Sequence, residues 1–291
     1  MRPTMLELFT IPIPSYGLML ALSFLLGIWL ASWRAKKMGL EPENVADFGF
    51  YTIVSAIVGA RLYYVILNFD EFRGDLFAIV NPFHGGTIGI GGLVMFGGFI
   101  AVLITSVLFF RVKKLSFLNY ADALAPSFGL GVFLTRIGCF LNGCCYGVAS
   151  KADDLFSVSF PQTNPLAGAY QHRIHAHGLV PSQLYESAGG LLMALVLLWV
   201  GSKKPFTGLQ FYLAVIFYSV LRFSVEFTRH YSASERIGAL THNQYLSIFF
   251  VLLFSGLILR KYLIRETEKE AAEKPVSAQA HEKVTAAADK K

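Results

Sequence analysis

Charged residues are scarce in this chain: Asp, Glu, Lys and Arg make up 15% of its 291 residues, and apolar types make up 54%. Soluble domains carry about 25% charged residues, so this composition argues against a soluble globule. No long polar linker divides the apolar segments, so we expect a single domain. The Lys and Arg residues form short clusters between apolar runs, which is typical of membrane loops. No nucleic-acid partner is therefore expected.

Cysteine is also scarce, and the three cysteines, Cys139, Cys144 and Cys145, all lie in one short stretch. This spacing lacks the paired C-x-x-C units of a zinc site, so no metal or other cofactor is expected. Two of these cysteines could form a disulfide if the stretch faces an oxidising compartment.

An internal repeat is absent as well, which argues against a transporter built from two related halves.

Seven apolar segments, several of them near the length of a bilayer core, predict an all-α polytopic membrane protein. The first segment is long and lacks a small-residue cleavage site after it, so we expect it to remain as a membrane helix. The segments fall at residues 17–33, 48–67, 91–110, 120–141, 187–201, 208–228 and 244–260.

Basic residues cluster after the first, third, fifth and seventh segments, which places these loops in the cytoplasm. The N-terminus is then outside and the C-terminus inside.

Two longer periplasmic segments follow, at 68–90 and 142–181, and the alternating residues 156–160 suit a short strand. We expect residues 1–265 to form a single transmembrane domain that carries the functional site. The cytoplasmic tail at 266–291 has almost no large apolar residue, so we expect a frayed helix or disorder there.

Arg136 follows a largely apolar run, and a charge at the end of a membrane helix by default marks function. The alternative is an arginine whose side chain reaches the headgroup level. Arg61 and Arg222 lie at the same depth, roughly 21–24 Å from the inner face at about 1.5 Å per residue. Glu226 shares a helix face with Arg222, either as part of a site or as an ion pair that only fixes packing. Together these residues predict a cationic pocket in the outer leaflet, suited to an anionic phospholipid headgroup.

Several short motifs follow one another in order along residues 10–262. They are Tyr16-Gly17-Leu18, Gly59-Ala60-Arg61, Arg136-x-Gly138 with Asn142 and Gly147, Pro181-Ser182-Gln183-Leu184-Tyr185-Glu186, and Arg222-x3-Glu226-x2-Arg229. In these motifs the chain resembles the bacterial prolipoprotein diacylglyceryl transferases.

The resemblance implies an enzyme of the bacterial cytoplasmic (inner) membrane that moves the diacylglyceryl group of phosphatidylglycerol. The acceptor would be the lipobox cysteine thiol in the signal peptide of a preprolipoprotein, with a thioether formed and glycerol phosphate released. No metal or cofactor would take part. The catalytic residues would be Arg136, Arg222, Glu226 and Tyr16. Substrate would be bound by Arg136, Arg61, Asn142, Gly147, Gln183, Tyr185, Glu186 and Arg229.

Four positions depart from the family pattern: Thr135 replaces a glycine, Cys139 an asparagine, Cys144 a glutamate and Phe96 a histidine. The general base for the acceptor thiol therefore stays open. The thiol could need no base, Glu226 could serve if it is not locked to Arg222, or a histidine of the outer loop could serve (His172, His175 or His177). We interpret His84 as a loop histidine.

Three other functions remain compatible with the sequence. A divergent paralogue would use the same pocket with a different acceptor. A lipid or anion transporter would move its ligand unchanged, and a non-catalytic scaffold would only bind the lipid. Turnover of phosphatidylglycerol with a lipobox peptide separates the enzyme from the last two.

The alternation of basic loops generates a topology prediction. A reporter that is active only in the cytoplasm should be active when fused after Arg265, and a reporter inserted within residues 167–177 should behave as external. The reverse pattern would contradict both the orientation and the common depth of the three arginines.

Overall fold

The computed structural model describes residues 4–8, 11–74, 76–79, 94–150, 157–158, 178–203, 206–229, 231 and 236–288. Within these residues, seven helices are long and apolar enough to cross a membrane, which confirms the predicted fold class. The helices are α1 (Ser15–Lys37), α2 (Pro42–Leu67), α3 (Met95–Val112), α4 (Phe117–Asn142), α5 (Ser182–Ser202), α6 (Leu209–Glu226) and α7 (His242–Ala288).

Several helices extend beyond the apolar segments that predicted them. The helix α2 begins at Pro42, where proline suits the first helical turn because its missing N–H would lack an intrahelical acceptor anyway. The helix α5 begins at Ser182, five residues before the predicted start at 187, and includes Gln183 and Tyr185. These end turns carry polar residues, which apolar patterning alone does not assign to a helix. By contrast, α3 begins at Met95, later than the predicted 91.

Short antiparallel strands flank the bundle. β1 (Thr4–Leu8) pairs with β2 (Ile11–Pro14), and β3 (Arg236–Ile237) pairs with β4 (Leu240–Thr241). The sequence did not predict these pairs, because strands this short show little alternation. Val158 forms an isolated bridge with Leu179, whereas the remainder of the strand predicted at 156–160 lies outside the described residues.

The backbone of the C-terminal tail is helical, because α7 continues to Ala288. Of the two alternatives for residues 266–291, the structure therefore has the helix over 266–288. The boundary of the catalytic domain at residue 265 stays a prediction.

The helix α4 lies between α1 and α5, while α2 packs on α3 and α6 packs on α7. The crossing of α4 and α5 depends on Gly129 and Gly190. A Cβ atom on Gly129 would stand 2.8 Å from the backbone nitrogen of Ala194 and 2.8 Å from the carbonyl oxygen of Gly190. Small residues of this kind let two membrane helices approach backbone to backbone.

A buried polar cluster holds the end of the bundle that we expect to face the cytoplasm. Arg34 donates a hydrogen bond of 2.6 Å from Nη2 to Oε1 of Gln210. The carboxylate of Asp122 accepts the backbone N–H groups of Gly208 at 2.6 Å and Phe211 at 2.9 Å. Asp122 therefore satisfies free N–H groups at the start of α6, where a negative charge is favourable.

Replacing Gly129 with alanine should destabilise the protein, because the new methyl group meets backbone atoms of α5 that cannot rotate away. Overpacking of this kind costs about 1–3 kcal/mol. Gly131→Ala on the same helix is the matched control, since among the described residues no atom beyond the backbone of its own helix lies within 4 Å of its added Cβ. Thermal unfolding in detergent should give a lower apparent melting temperature for Gly129→Ala only. Equal temperatures for the two variants would contradict the close crossing.

Candidate active site

Glu186 on α5 is the centre of an arginine cluster whose guanidinium side chains are only 16–20% exposed. Its side chain is completely buried, and Nη2 of Arg136 on α4 lies 2.7 Å from its Oε1 atom. Its other oxygen, Oε2, lies 3.2 Å from Nη2 of Arg229 and 3.7 Å from Nη1 of Arg222. One carboxylate therefore gathers three guanidinium groups from three different parts of the chain.

Glu226, the second carboxylate, is held in place by its neighbours. Its Oε2 lies 3.1 Å from Nη2 of Arg222. Its Oε1 accepts hydrogen bonds from Oγ1 of Thr241 at 3.1 Å and Nδ2 of Asn243 at 2.8 Å. Glu226 could serve as general base only if its carboxylate were not paired with Arg222. In the structure the two side chains form an ion pair, so this condition is not met. Glu226 is thus placed to orient Arg222.

The cluster carries a surplus positive charge. Three guanidinium groups (Arg136, Arg222 and Arg229) face two carboxylates (Glu186 and Glu226), so the five side chains sum to one net positive charge. In a poorly solvated setting this surplus favours binding of an anion.

A cavity of about 850 Å³ leads away from this cluster along the bundle. On α4 its lining extends from Leu124 to Asn142, about 27 Å at about 1.5 Å per residue. Tyr16, Arg136 and Glu186 line one end, while the lining towards the opposite end is mostly apolar. The cavity therefore suits an elongated amphipathic molecule whose polar group reaches the cluster.

A tight turn lines the polar end of the cavity. Gly143, with φ of 75°, ends α4, and the backbone nitrogen of Cys144 donates to the carbonyl of Cys139 at 3.1 Å. The completely buried Gln183 donates from Nε2 to the carbonyl oxygen of Cys144 at 2.8 Å. Asn142, the last residue of α4, lines the cavity beside this turn.

Gly138 and Gly147 have packing roles at the same end. A Cβ atom on Gly138 would stand 2.9 Å from that of Met19 and 3.3 Å from Cα of Tyr16, so this glycine lets α1 reach the site. Gly147 passes so close to Ser182 and the Thr228 carbonyl that no side chain fits. This packing suits a positioning role for Gly147, and its predicted role in substrate binding stays a prediction.

The three cysteines converge at the cavity wall. All are free thiols, so the disulfide considered from the sequence is not formed. Their Sγ atoms lie within 4.8 Å of one another, and all three residues line the cavity. Hydrogen bonds with the thiols of Cys139 and Cys144 hold the pKa of Cys145 below its ordinary value, and Arg136 and Arg229 act in the same direction.

Two predicted site residues lie elsewhere. Arg61 donates to the carbonyl oxygens of Ala78 at 2.9 Å and Ile79 at 3.0 Å, and so contacts the outer segment. Tyr185 is 38% exposed and is not among the described residues that line the cavity. Phe96, at the position of the family histidine, is also exposed. The histidines considered as bases or loop residues lie outside the described residues: His84, His172, His175 and His177.

Three contributors to the site were not predicted from the sequence. Thr241 and Asn243 hold Glu226, and Tyr218 lines the cavity. Thr241 and Asn243 could have been found from the sequence, because they are polar residues at the start of the last apolar segment. No sequence feature pointed to Tyr218, because an aromatic residue within an apolar helix is common.

A seven-helix membrane bundle whose mostly apolar cavity ends at Arg136 and its arginine cluster is typical of a class of membrane proteins that handle anionic lipids. Within that class, the family model described as "Prolipoprotein diacylglyceryl transferase" matches residues 3–260, and the chain belongs to this family. The resemblance seen in the motifs is thereby confirmed.

Curated relatives agree with the family. A protein of Clostridium tetani named "Phosphatidylglycerol--prolipoprotein diacylglyceryl transferase" is 33% identical over 253 residues, which cover 87% of this chain and 95% of the relative. Proteins with the same name from Thermosynechococcus vestitus and Listeria innocua are 35% and 31% identical. The matches cover 88% of this chain in both cases, and 91% and 88% of the two relatives.

Replacing Glu186 with glutamine should destabilise the protein strongly, because three guanidinium groups lose their shared counter-charge. Breaking a buried ion pair from one side costs about 3–5 kcal/mol. The matched control is Asp47→Asn, which breaks a half-exposed pair with Lys113 of 3.1 Å and should cost at most about 1 kcal/mol. Similar melting temperatures for the two variants would show that Glu186 does not hold the cluster together.

Proposed function

We propose that this chain transfers the diacylglyceryl group of phosphatidylglycerol to a cysteine thiol of a prolipoprotein, releasing glycerol phosphate. The observation that carries this proposal is the arginine cluster on Glu186 at the polar end of the apolar cavity. Membership of the diacylglyceryl transferase family supports the reaction type.

The cavity and the cluster suit the two parts of the lipid. The acyl chains of phosphatidylglycerol would lie along the apolar walls, and the phosphate would lie at Arg136, Arg222 and Arg229. Buried Nη1 of Arg222 and Nε of Arg229 have no hydrogen-bond acceptor within the described part of the chain. Because guanidinium groups bind phosphate oxygens with directed N–H groups, these donors are available for the headgroup.

The same arginines would assist the chemical step. As the carbon–oxygen bond of the glyceryl group breaks, negative charge grows on the departing phosphate. Donors that are already oriented stabilise that charge without reorganisation. Glu186 and Glu226 provide the orientation, and Tyr16 lines the cavity beside Arg136, where its hydroxyl can donate to the substrate. Arg61 would act at a distance, by holding the outer segment.

The acceptor would be the lipobox cysteine of a preprolipoprotein signal peptide. The polar end of the cavity lies beside the turn after α4, where Cys145 is exposed. In the topology predicted from the basic loops, with the N-terminus outside and the C-terminus inside, this end faces the outside of the bacterial inner membrane. A signal peptide crossing that membrane presents its cysteine at the same level.

Substituting lysine for Arg136 or Arg222 should lower the rate of thioether formation about a hundredfold to a thousandfold, as expected when one transition-state donor is lost. Lysine keeps the charge but not the planar fork of donors. Mass spectrometry of a lipobox peptide incubated with phosphatidylglycerol and purified protein measures the rate. A peptide with serine in place of cysteine should remain unmodified.

Arg73→Lys is the matched control, because Arg73 also pairs with a carboxylate but is 72% exposed. Its rate should equal that of the unaltered protein. Near-normal rates for folded Arg136→Lys and Arg222→Lys proteins would leave the cluster as a structural ion pair only. Absence of thioether formation by the unaltered protein would refute the proposed reaction.

A further inference from the structure

The three cysteines form a compact sulfur cluster that the proposed mechanism leaves unused. Three Sγ atoms within 4.8 Å of one another are close to the arrangement of a metal site. Zinc bound at about 2.3 Å to each of three sulfurs in a tetrahedron holds those sulfurs about 3.8 Å apart. From 4.8 Å the sulfurs would need to approach by at most about 1 Å to reach that spacing.

The backbone of the turn produces this convergence. Gly143 and Cys145 both adopt left-handed conformations, with φ of 75° and 64°. The chain thereby returns over the last turn of α4, where Cys139 is buried. A left-handed backbone conformation is unfavourable for a residue with a side chain. It occurs where contacts with the surrounding structure stabilise it, and such positions are often found at ligand sites. Gln183 holds this turn through the carbonyl of Cys144.

Two further observations favour a thiolate site open to the cavity. Nη1 of Arg136 lies 4.0 Å from Sγ of Cys139, so a counter-charge stands beside the sulfurs. All three cysteines line the cavity together with Tyr16 and Glu186. Zinc sites with three protein ligands and one position facing a substrate cavity are typical of catalytic zinc.

We propose that Cys139, Cys144 and Cys145 bind a thiophilic divalent cation of the zinc class, and that the acceptor cysteine thiol is its fourth ligand. Three thiolates select zinc over magnesium or calcium, which prefer oxygen ligands. The second half of this inference rests on the proposed function, whereas the metal site itself does not.

The metal would solve the problem of the missing base. Among the described residues that line the cavity, Glu186 is the only carboxylate, and it is committed to three arginines. A thiol that coordinates zinc loses its proton outright. The proton leaves to solvent, and the bound sulfur then attacks the glyceryl carbon. The carbon–sulfur bond forms as the carbon–oxygen bond breaks, the electron pair departs with the phosphate oxygen, and the metal keeps its oxidation state.

The first experiment tests the metal site without any substrate. The purified full chain, freed of metal and reduced, is titrated with Co²⁺, because zinc itself has no visible spectrum. Binding of one equivalent with sulfur-to-metal charge-transfer absorption is expected. Each of Cys139→Ala, Cys144→Ser and Cys145→Ser should weaken binding, and the triple variant should abolish the absorption. A triple variant that keeps its melting temperature but loses the absorption assigns the loss to the sulfurs.

Three results would overturn the site: absence of stoichiometric binding, undiminished absorption in the triple variant, or reduced thiols that pair as a disulfide under mild oxidation while excluding the metal. If a substitution prevents folding, alkylation of the three thiols in the unaltered protein replaces it. Prior Zn²⁺ loading should protect all three thiols from alkylation, and unprotected thiols would contradict the proposal.

The second experiment tests the fourth ligand. A lipobox peptide with cysteine should change the Co²⁺ spectrum, whereas the serine peptide should not. Removal of the metal by a chelator should lower the rate of thioether formation about a hundredfold, and Zn²⁺ should restore it. An unchanged rate in the metal-free protein would refute the metal's role and leave the transferase function intact. Metal binding without any lipid transfer would refute the function and leave the site intact.

Discussion

The structure depends on one fully buried carboxylate that holds three arginines. Glu186 lies 2.7 Å from Arg136 and 3.2 Å from Arg229, with Arg222 slightly further away. An isolated guanidinium group at this depth would be costly, and so would an isolated carboxylate. Each charge is tolerable because the others are present. The surplus of one positive charge remains for an anion, so the same arrangement that allows burial also creates the binding site.

The helix ends around this cluster are arranged to keep it rigid. Gly138 admits the first turn of α1, Gly147 lets the turn after α4 lie against Thr228, and Gln183 ties that turn to α5. None of these residues needs to touch a substrate. Their contribution is to fix the directions of the guanidinium groups, because donors oriented before the reaction stabilise developing charge most effectively.

The three cysteines come close together only in the folded chain. Along the chain they lack the paired spacing of a metal site, and that spacing argued against one. The two left-handed residues of the turn, Gly143 and Cys145, fold the chain back so that the three sulfurs meet. The usual sequence spacings of metal ligands apply to regular hairpins and helices. They do not describe ligands that an irregular turn brings together.

The sequence by itself determined the seven spans and the family, because apolar length and the order of short motifs act along one dimension. The outer depth of Arg136 and Arg222 follows from helical rise and the predicted orientation, and it stays a prediction. Depth, however, does not specify direction around a helix. Arg61 was predicted to join the other arginines, yet it contacts Ala78 and Ile79 in the outer segment. Only the tertiary structure decided that Glu186 is the common partner and that Glu226 is locked, because such contacts depend on how helices rotate and cross against one another.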